Sequence, residues 1–437
     1  MKRLIGSGVS VLTSPSSPRP RFTTGQIVLL GLVSTIGPIS TDMYLPAFPQ
    51  LERDLGQGPG SAQLTLAAWF IGLAIGQFCL GPLSDRFGRQ KPLVAGLLLY
   101  VVATVALATT TSYWGFCGLR LVAALGGAIT SVVPRAIVRD IATGHEAVRL
   151  MSQLTLVFGV GPILAPTLGS ALLAFGSWRM IFWAGAIAAG ILALFCMTAM
   201  PETLPEERRY ALPPVEILRR YIRLAREPVF MSSALLSSFS TFVMFAYLSN
   251  APLLFEHLLG FSPRGFAIFF GINASGFILA TQINGRLSHR FAFTSVMQGG
   301  LIACLLSGLT LLAVSASHVV GAADPWPLCA LIVSTTFTLG FIGPNANVLA
   351  LTHHGHQAGA ASALMGTLAF AIGGSSGIVM ALLPPTRLSS TAIGMLVGIC
   401  GMWLCNLWRR AAARAMQDPP PHTIPPHTIQ RHDDIAH

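Results

Sequence analysis

Asp42 stands in Ser40-Thr41-Asp42-Met43-Tyr44-Leu45-Pro46, near the end of the first long apolar run of the chain. A carboxylate in hydrocarbon is costly, so an acid at such a place is read first as a group that handles protons or cations. It is the only acidic residue that the sequence places within an apolar run. Arg120 stands in the same way inside the fourth run. Each lies about six residues from the outer end of its run, or roughly 9 Å below that boundary at 1.5 Å per residue. Opposite charges at equal depth can pair. A nearby arginine lowers a carboxylate's pKa, while burial raises it. An acid whose surroundings change can take up a proton on one side and release it on the other. The competing reading is that Asp42 caps a helix end and Arg120 snorkels to water.

Other side chains are less specific. The fifth run carries Gly161, Pro162, Pro166 and Gly169, and the two prolines, four apart, share a helix face and should bend it. Asn250, Asn273, Gln282, Asn345 and Asn347 fall in or at the ends of later runs, where they can line a cavity or bond between helices. Met43, Tyr44, Phe158, Phe245, Asn250 and Asn345 are the candidates for a substrate cavity. His353, His354 and His356 have no Cys or carboxylate near them in sequence, so a solvated loop is expected there rather than a metal site. The chain has no phosphate-binding glycine loop with its lysine, which argues against ATP as the energy source.

These residues must be held by membrane-spanning helices. Only 10% of residues are charged, and the mean hydropathy is +0.66. Soluble domains carry about 25% charged residues. A span needs about 20 mostly apolar residues. Runs of that length fall at 26–48, 62–83, 92–110, 114–134, 150–174, 178–200, 229–254, 264–286, 294–315, 326–350, 358–383 and 390–411. They are continuous rather than alternating, which excludes barrel strands. The formal net charge of +11 follows from topology: most of the 27 Lys and Arg residues fall on one side, and the positive-inside bias puts that side and both termini in the cytoplasm. No nucleic-acid partner is therefore implied.

Residues 1–24 read as a cytoplasmic tail, 25–200 as a first six-helix bundle and 201–228 as a polar linker. Within that linker, Val215 to Ala225 suits an amphipathic surface helix. Residues 229–411 form the second bundle, and the Pro-rich 412–437 reads as a disordered tail. All seven cysteines fall in spans, so no disulfide is expected. Gly81-Pro82-Leu83-Ser84-Asp85-Arg86-Phe87 returns after the eighth span as Gly285-Arg286-Leu287-Ser288-His289-Arg290-Phe291. Two related six-helix halves are a recurring transporter plan.

The loop Gly81-Pro82-Leu83-Ser84-Asp85-Arg86-Phe87-Gly88-Arg89-Gln90-Lys91 resembles the loop between spans two and three of the major facilitator superfamily. Within it the chain is similar to the bicyclomycin and chloramphenicol resistance (Bcr/CflA) branch. The stretches that carry this are Thr41 to Ala47, Arg135-Ala136-Ile137-Val138-Arg139-Asp140, Gly161 to Gly169, Trp178 to Phe182 and Pro201 to Pro205. The resemblance covers residues 25–411. It implies twelve transmembrane helices in two six-helix bundles, and a proton-coupled antiporter that exports small, mostly hydrophobic drugs by alternating access. It implies a conformational latch at Gly81, Asp85, Arg86, Gly88 and Arg89, which holds the halves together at the cytoplasmic side in the outward-open state. His289 replaces Asp85 in the second copy, so the latch should rest on the first half. The resemblance also links Arg120 with Asp42 to proton coupling, and Gly161, Pro162, Pro166 and Gly169 to antiport. Ala124-Leu125 and Ser170 depart from the family pattern.

No cofactor is expected, the proton gradient being the driver. The expected partners are a small molecule, protons and the bilayer; the expected state is a monomer in a bacterial-type inner membrane. An exporter of an endogenous metabolite is the nearest alternative. A membrane-embedded transferase should show a catalytic His or acid cluster at a membrane face, and a channel should show charge rings or a filter. Neither pattern occurs in the sequence.

Overall fold

The computed structural model describes residues 22–417 except 143, 210–212, 318–323, 353 and 355–357. The sequence expectations for the tails, for His353 and His356 and for part of the linker fall outside the described residues. Among those described, every regular element is helical.

The helices are α1 (Thr24–Asp42), α2 (Phe48–Asp54), α3 (Ala62–Phe87), α4 (Gln90–Thr109), α5 (Tyr113–Ile141), α6 (Gly144–Phe175) and α7 (Arg179–Ala199) in the first half. The linker holds α8 (Pro214–Ala225). The second half comprises α9 (Pro228–Pro252), α10 (Pro263–Leu287), α11 (Phe293–Ala316), α12 (Trp326–Leu351), α13 (Ala358–Leu382) and α14 (Ser389–Gln417). Eleven of the described helical segments are long and apolar enough to cross a membrane; α6, helical over 32 residues, completes a set of twelve. Local chemistry starts several of them. Thr23 and Gln26 form a reciprocal cap at α1, and Ser112 and Ser262 accept from the backbone N–H groups of Gly115 and Gly265.

Two spans run further than the apolar pattern suggests. After α1 the chain continues through a 3₁₀ turn, Leu45–Ala47, directly into α2, so the first span extends to Asp54. After α9 a π-helical turn, Leu253–Leu258, carries the seventh span to Leu258. Pro46 and Pro49 sit in first-turn positions, where a missing N–H costs nothing. These extensions bring Glu52, Asp54 and Glu256 into helices, so Asp42 is not the sole helical acid of the spans. Glu52 acts locally. Its Oε1 accepts from the N–H groups of Gly60 and Ala62 at 2.8 and 2.9 Å, capping α3.

Within the first half α3 and α4 both pack on α5, and α4 packs on α7. Within the second half α9 packs on α12, α13 and α14. The halves meet along two seams, α3 against α13 and α6 against α10. The linker helix α8 lays Tyr221 and Leu224 on a small cluster with Phe230, Ala361 and Leu364, and leaves Val215, Leu218 and Ile222 exposed. This amphipathic division matches the linker helix expected at Val215 to Ala225.

Candidate functional site

Asp42 is the last residue of α1 and is 4% exposed. Residues two apart on a helix point about 200° apart. Ser40 faces α4, and Tyr44, just beyond the helix, meets α3 and α5, while Asp42 points away from Ser40. The Ser40 hydroxyl lies 2.5 Å from Tyr100 Oη, and Tyr44 Oη lies 3.1 Å from Thr65 Oγ1. Asp42 comes within electrostatic reach of Tyr247 on α9. Its carboxylate makes no hydrogen bond or ion pair with a described residue.

The expected ion pair between Asp42 and Arg120 is absent. Arg120, 1% exposed, lies over the rings of Tyr44 and Trp69, with its guanidinium carbon 4.1 and 4.4 Å from their centroids. Its Nη1 donates to the Ser40 carbonyl at 3.2 Å, and its Nε and Nη2 have no hydrogen-bond partner among the described residues. The aromatic faces hold the cation by their quadrupoles. Arg120 thus reads the Ser40 face of α1, and Asp42 is on the opposite one. Arg120 is buried rather than snorkelling.

The 81–91 loop folds into a dense polar cluster. Arg89 Nη1 meets Asp85 Oδ1 at 2.6 Å, and Arg89 Nε meets Asp140 Oδ2 at 2.8 Å. Arg89 Nη1 also donates to Ser84 Oγ at 2.9 Å, and Thr203 Oγ1 donates to Asp140 at 3.1 Å. Glu202 closes the assembly: its carboxylate accepts from the backbone N–H groups of Arg89 and Gln90, at the positive N-terminus of α4. Gly88 has φ +87°, and a Cβ there would overlap the Glu202 carboxylate. Glycine is required on both counts. Burial pulls the Arg89 pKa down, but bonds and charge from Asp140 and then Asp85 outweigh it, so the group ends above its ordinary value. Arg86 stays exposed, its guanidinium 5.2 Å from the Phe87 ring, and Gly81 has open space around it. The ion pairs that Arg89 makes lie within the first half. In the second copy, Arg286 and Arg290 are exposed, as is His289.

A cavity of about 810 Å³ opens between the halves at this end of the molecule. Asp85, Arg135 and Arg139 line one wall, and the first turn of α13, from Gly359, lines the other. Gln77, which donates to Ser131 at 2.8 Å, lies at its deep end. Elsewhere along the α3–α13 seam Phe70 stacks on Phe245 with centroids 3.8 Å apart, and Phe370 lies 6.3 Å from Phe70. At the opposite end of α3, Gln63 bonds across to Asn250 at 2.7 Å.

None of the six cavity candidates from the sequence is among the described residues that line this space. Met43 and Tyr44 border a void of about 20 Å³ beside Arg120, inside the first half. Asn250 also donates to Thr391 at 2.6 Å, and Asn345 donates to Asn284 at 2.8 Å, so both join helices. Phe245 belongs to the aromatic stack. The side chains of Phe158 and Pro162 lie outside the described residues. Pro166 is buried, and α6 remains helical through both prolines. Gly161 and Gly169 press on α1: a Cβ on Gly161 would come 2.9 Å from Pro38 Cβ, and one on Gly169 would overlap the Met43 carbonyl. His354 is buried, not solvated, and bonds Glu227 and the Ala350 carbonyl, tying α12 to α9. Asp140, Glu202, Gln63 and Phe70 carry no individual signal in the sequence, although Asp140 and Glu202 lie in stretches that carry the resemblance.

Two six-helix halves, a cavity between them and charged side chains held at the seam define a helical membrane transporter. The chain belongs to the major facilitator superfamily, whose family model, Major Facilitator Superfamily, matches residues 30–378. It is 32% identical over 373 residues to a chloramphenicol resistance protein of Pseudomonas aeruginosa, covering 82% of this chain and 84% of that one. It is 29% identical over 358 residues to a bicyclomycin resistance protein homolog of Haemophilus influenzae, covering 81% and 88%. The fold is shared with a bacterial homolog of the human lysosomal transporter Spinster, at 16% identity and a TM-score of 0.69, covering 90% of this chain and 97% of that one. The likeness to the Bcr/CflA exporters is thus supported from sequence and family alike.

Proposed function

We propose that this transporter exports small, mostly hydrophobic drugs or antibiotics in exchange for protons, with the cavity end and both termini facing the cytoplasm of a bacterial inner membrane. The observation that carries the reading is Asp42: a buried carboxylate at the end of α1, within electrostatic reach of Tyr247 of the other half and without a hydrogen bond or ion pair to a described residue. Its surroundings change when the halves rock, because Tyr247 belongs to the second bundle. A group in that position is protonated when enclosed and ionised when water reaches it. Substrate enters through the cavity when that end is open, and a proton enters through the other end when the Gln63–Asn250 contact parts. Asp85 and the first turn of α13 face each other across the cavity, so closure brings a carboxylate to a helix N-terminus. The names of the relatives in Pseudomonas aeruginosa and Haemophilus influenzae support the substrate class.

The test is substrate-induced proton release from everted vesicles at several pH values, with wild type and Asp42→Asn. Asn keeps the shape but cannot titrate. Loss of proton release with retained binding of a neutral substrate is expected. Uphill substrate accumulation and proton release by Asp42→Asn would move the coupling site elsewhere.

A further inference from the structure

The cavity is strongly cationic. Among the described residues, five arginines line it, Arg86, Arg89, Arg135, Arg139 and Arg220, against a single carboxylate, Asp85. Asp85 is already engaged by Arg89 at 2.6 Å, and Arg89 is further neutralised by Asp140. Arg135 and Arg139 are different. They sit four apart on α5, on one helix face, and neither makes a hydrogen bond or ion pair with a described residue. Arg135 lies six residues inside the end of α5 at Ile141, which is about 9 Å of depth. The positive-inside rule accounts for arginines at this end of the bundle. It does not account for two that turn away from the lipid and into the cavity. The first turn of α13, at Gly359 and Ala360, adds the positive end of its dipole from the facing wall. A pair of open guanidiniums against a helix N-terminus is a receptor for an oxyanion, and the planar fork suits a carboxylate. The same cavity offers apolar wall from Val132, Met151 and Leu204.

We propose that Arg135 and Arg139 make this cavity selective for amphiphilic organic anions, a single carboxylate or similar oxyanion on an apolar body, over neutral compounds of the same shape. This rests on the export reading above but narrows its substrate class. For a one-proton exchange, exporting a monoanion moves two charges per cycle and exporting a neutral compound moves one. Export of the anion is then the more strongly driven by an inside-negative membrane potential.

The test uses the full chain in phosphatidylcholine nanodiscs and matched probe pairs: benzoate with benzamide, salicylate with salicylamide, and indole-3-acetate with indole-3-acetamide. Binding is measured at pH 7 for wild type, Arg135→Gln, Arg139→Gln and the charge-keeping Arg135→Lys. The expected result is that at least one acid binds about tenfold more tightly than its amide. The preference should fall below about threefold in either Gln variant and be largely kept in Arg135→Lys, with amide binding unmoved throughout. A structural or latch role for the arginines would instead weaken acid and amide alike. No preference for any acid, including no binding by the whole panel, overturns the proposal. So does a preference that vanishes when phosphatidylglycerol is added to the discs, because the arginines would then be serving lipid headgroups. Proton-coupled export of neutral chloramphenicol by the same protein reconstituted into proteoliposomes tests the export reading separately. Its survival alongside equal acid and amide binding would reject the anion selectivity alone.

Discussion

Gln63 on α3 donates from Nε2 to Asn250 Oδ1 on α9 at 2.7 Å, and Asn250 passes the bond on to Thr391 of α14. The contact is buried and joins the first half to the second at the end opposite the cavity. It is a polar clasp in an apolar seam, where the aromatic stack of Phe70, Phe245 and Phe370 supplies the shape.

Breaking that clasp should shift the conformational balance without unfolding either half. Gln63→Leu removes one buried side-chain bond, a net loss of about 1 kcal/mol, which is roughly fivefold in a two-state population. Distance measurements between spin labels placed across that end should show a larger open fraction. An unchanged distribution would leave the clasp without a role in the balance.

The spans were legible in the sequence because a bilayer demands long apolar runs. What extended them, to Asp54 and Leu258, was not: the 3₁₀ turn at Leu45–Ala47 and the π-helical turn at Leu253–Leu258 carry the helices past the end of the apolar runs. The acids of the 81–91 cluster were half legible. Asp85 lies only four residues before Arg89, but Asp140 and Glu202 reach Arg89 from 51 and 113 residues away, and only the fold pairs them. Asn250 and Asn345 show the limit most plainly. A polar residue in an apolar helix signals a partner but not which face it is on, and here the partners are other helices rather than a substrate.

The Arg89 cluster separates a structural arginine from a mobile acid. Arg89→Ala leaves Asp140 and Asp85 without their cation and should cost about 2–3 kcal/mol. A clearly lower melting temperature in detergent is expected. Asp85→Asn, whose side chain is 54% exposed, should melt near wild type yet transport more slowly. Equal melting of the two variants would mean that Asp140 and Ser84 do not depend on Arg89.

The α1–α6 crossing gives a graded pair. Gly169→Ala drives a methyl into the Met43 carbonyl, and backbone cannot step aside, so the helices must separate. A penalty of about 3 kcal/mol or more and poor membrane yield are expected. Gly161→Ala meets only the Pro38 ring at 2.9 Å and should cost about 1 kcal/mol. Thermal melting of the two variants gives the order; reversed severity would place the tight crossing at Pro38.

Asp42 and Arg120 lie on opposite faces of the α1 end and do not touch in this state. Residues without a shared partner have additive effects on stability, to within about 0.5 kcal/mol. Arg120→Gln should lower the melting temperature, because it strips the cation from the Tyr44 and Trp69 faces and from the Ser40 carbonyl. Asp42→Asn should not lower it, because Asn keeps the shape and the Asp42 carboxyl makes no hydrogen bond or ion pair with a described residue for the substitution to remove. The double variant should show the sum of the two shifts. Transport should behave otherwise. If the two residues serve one coupling event elsewhere in the cycle, either single variant already removes it, and the double is little worse. Proton release and melting measured on the same four preparations separate the two cases. Additive melting, with proton release lost in Arg120→Gln as well as in Asp42→Asn, places their meeting in another state of the carrier. Proton release kept by Arg120→Gln would make Arg120 a packing residue of the first half, and leave proton coupling to Asp42 alone.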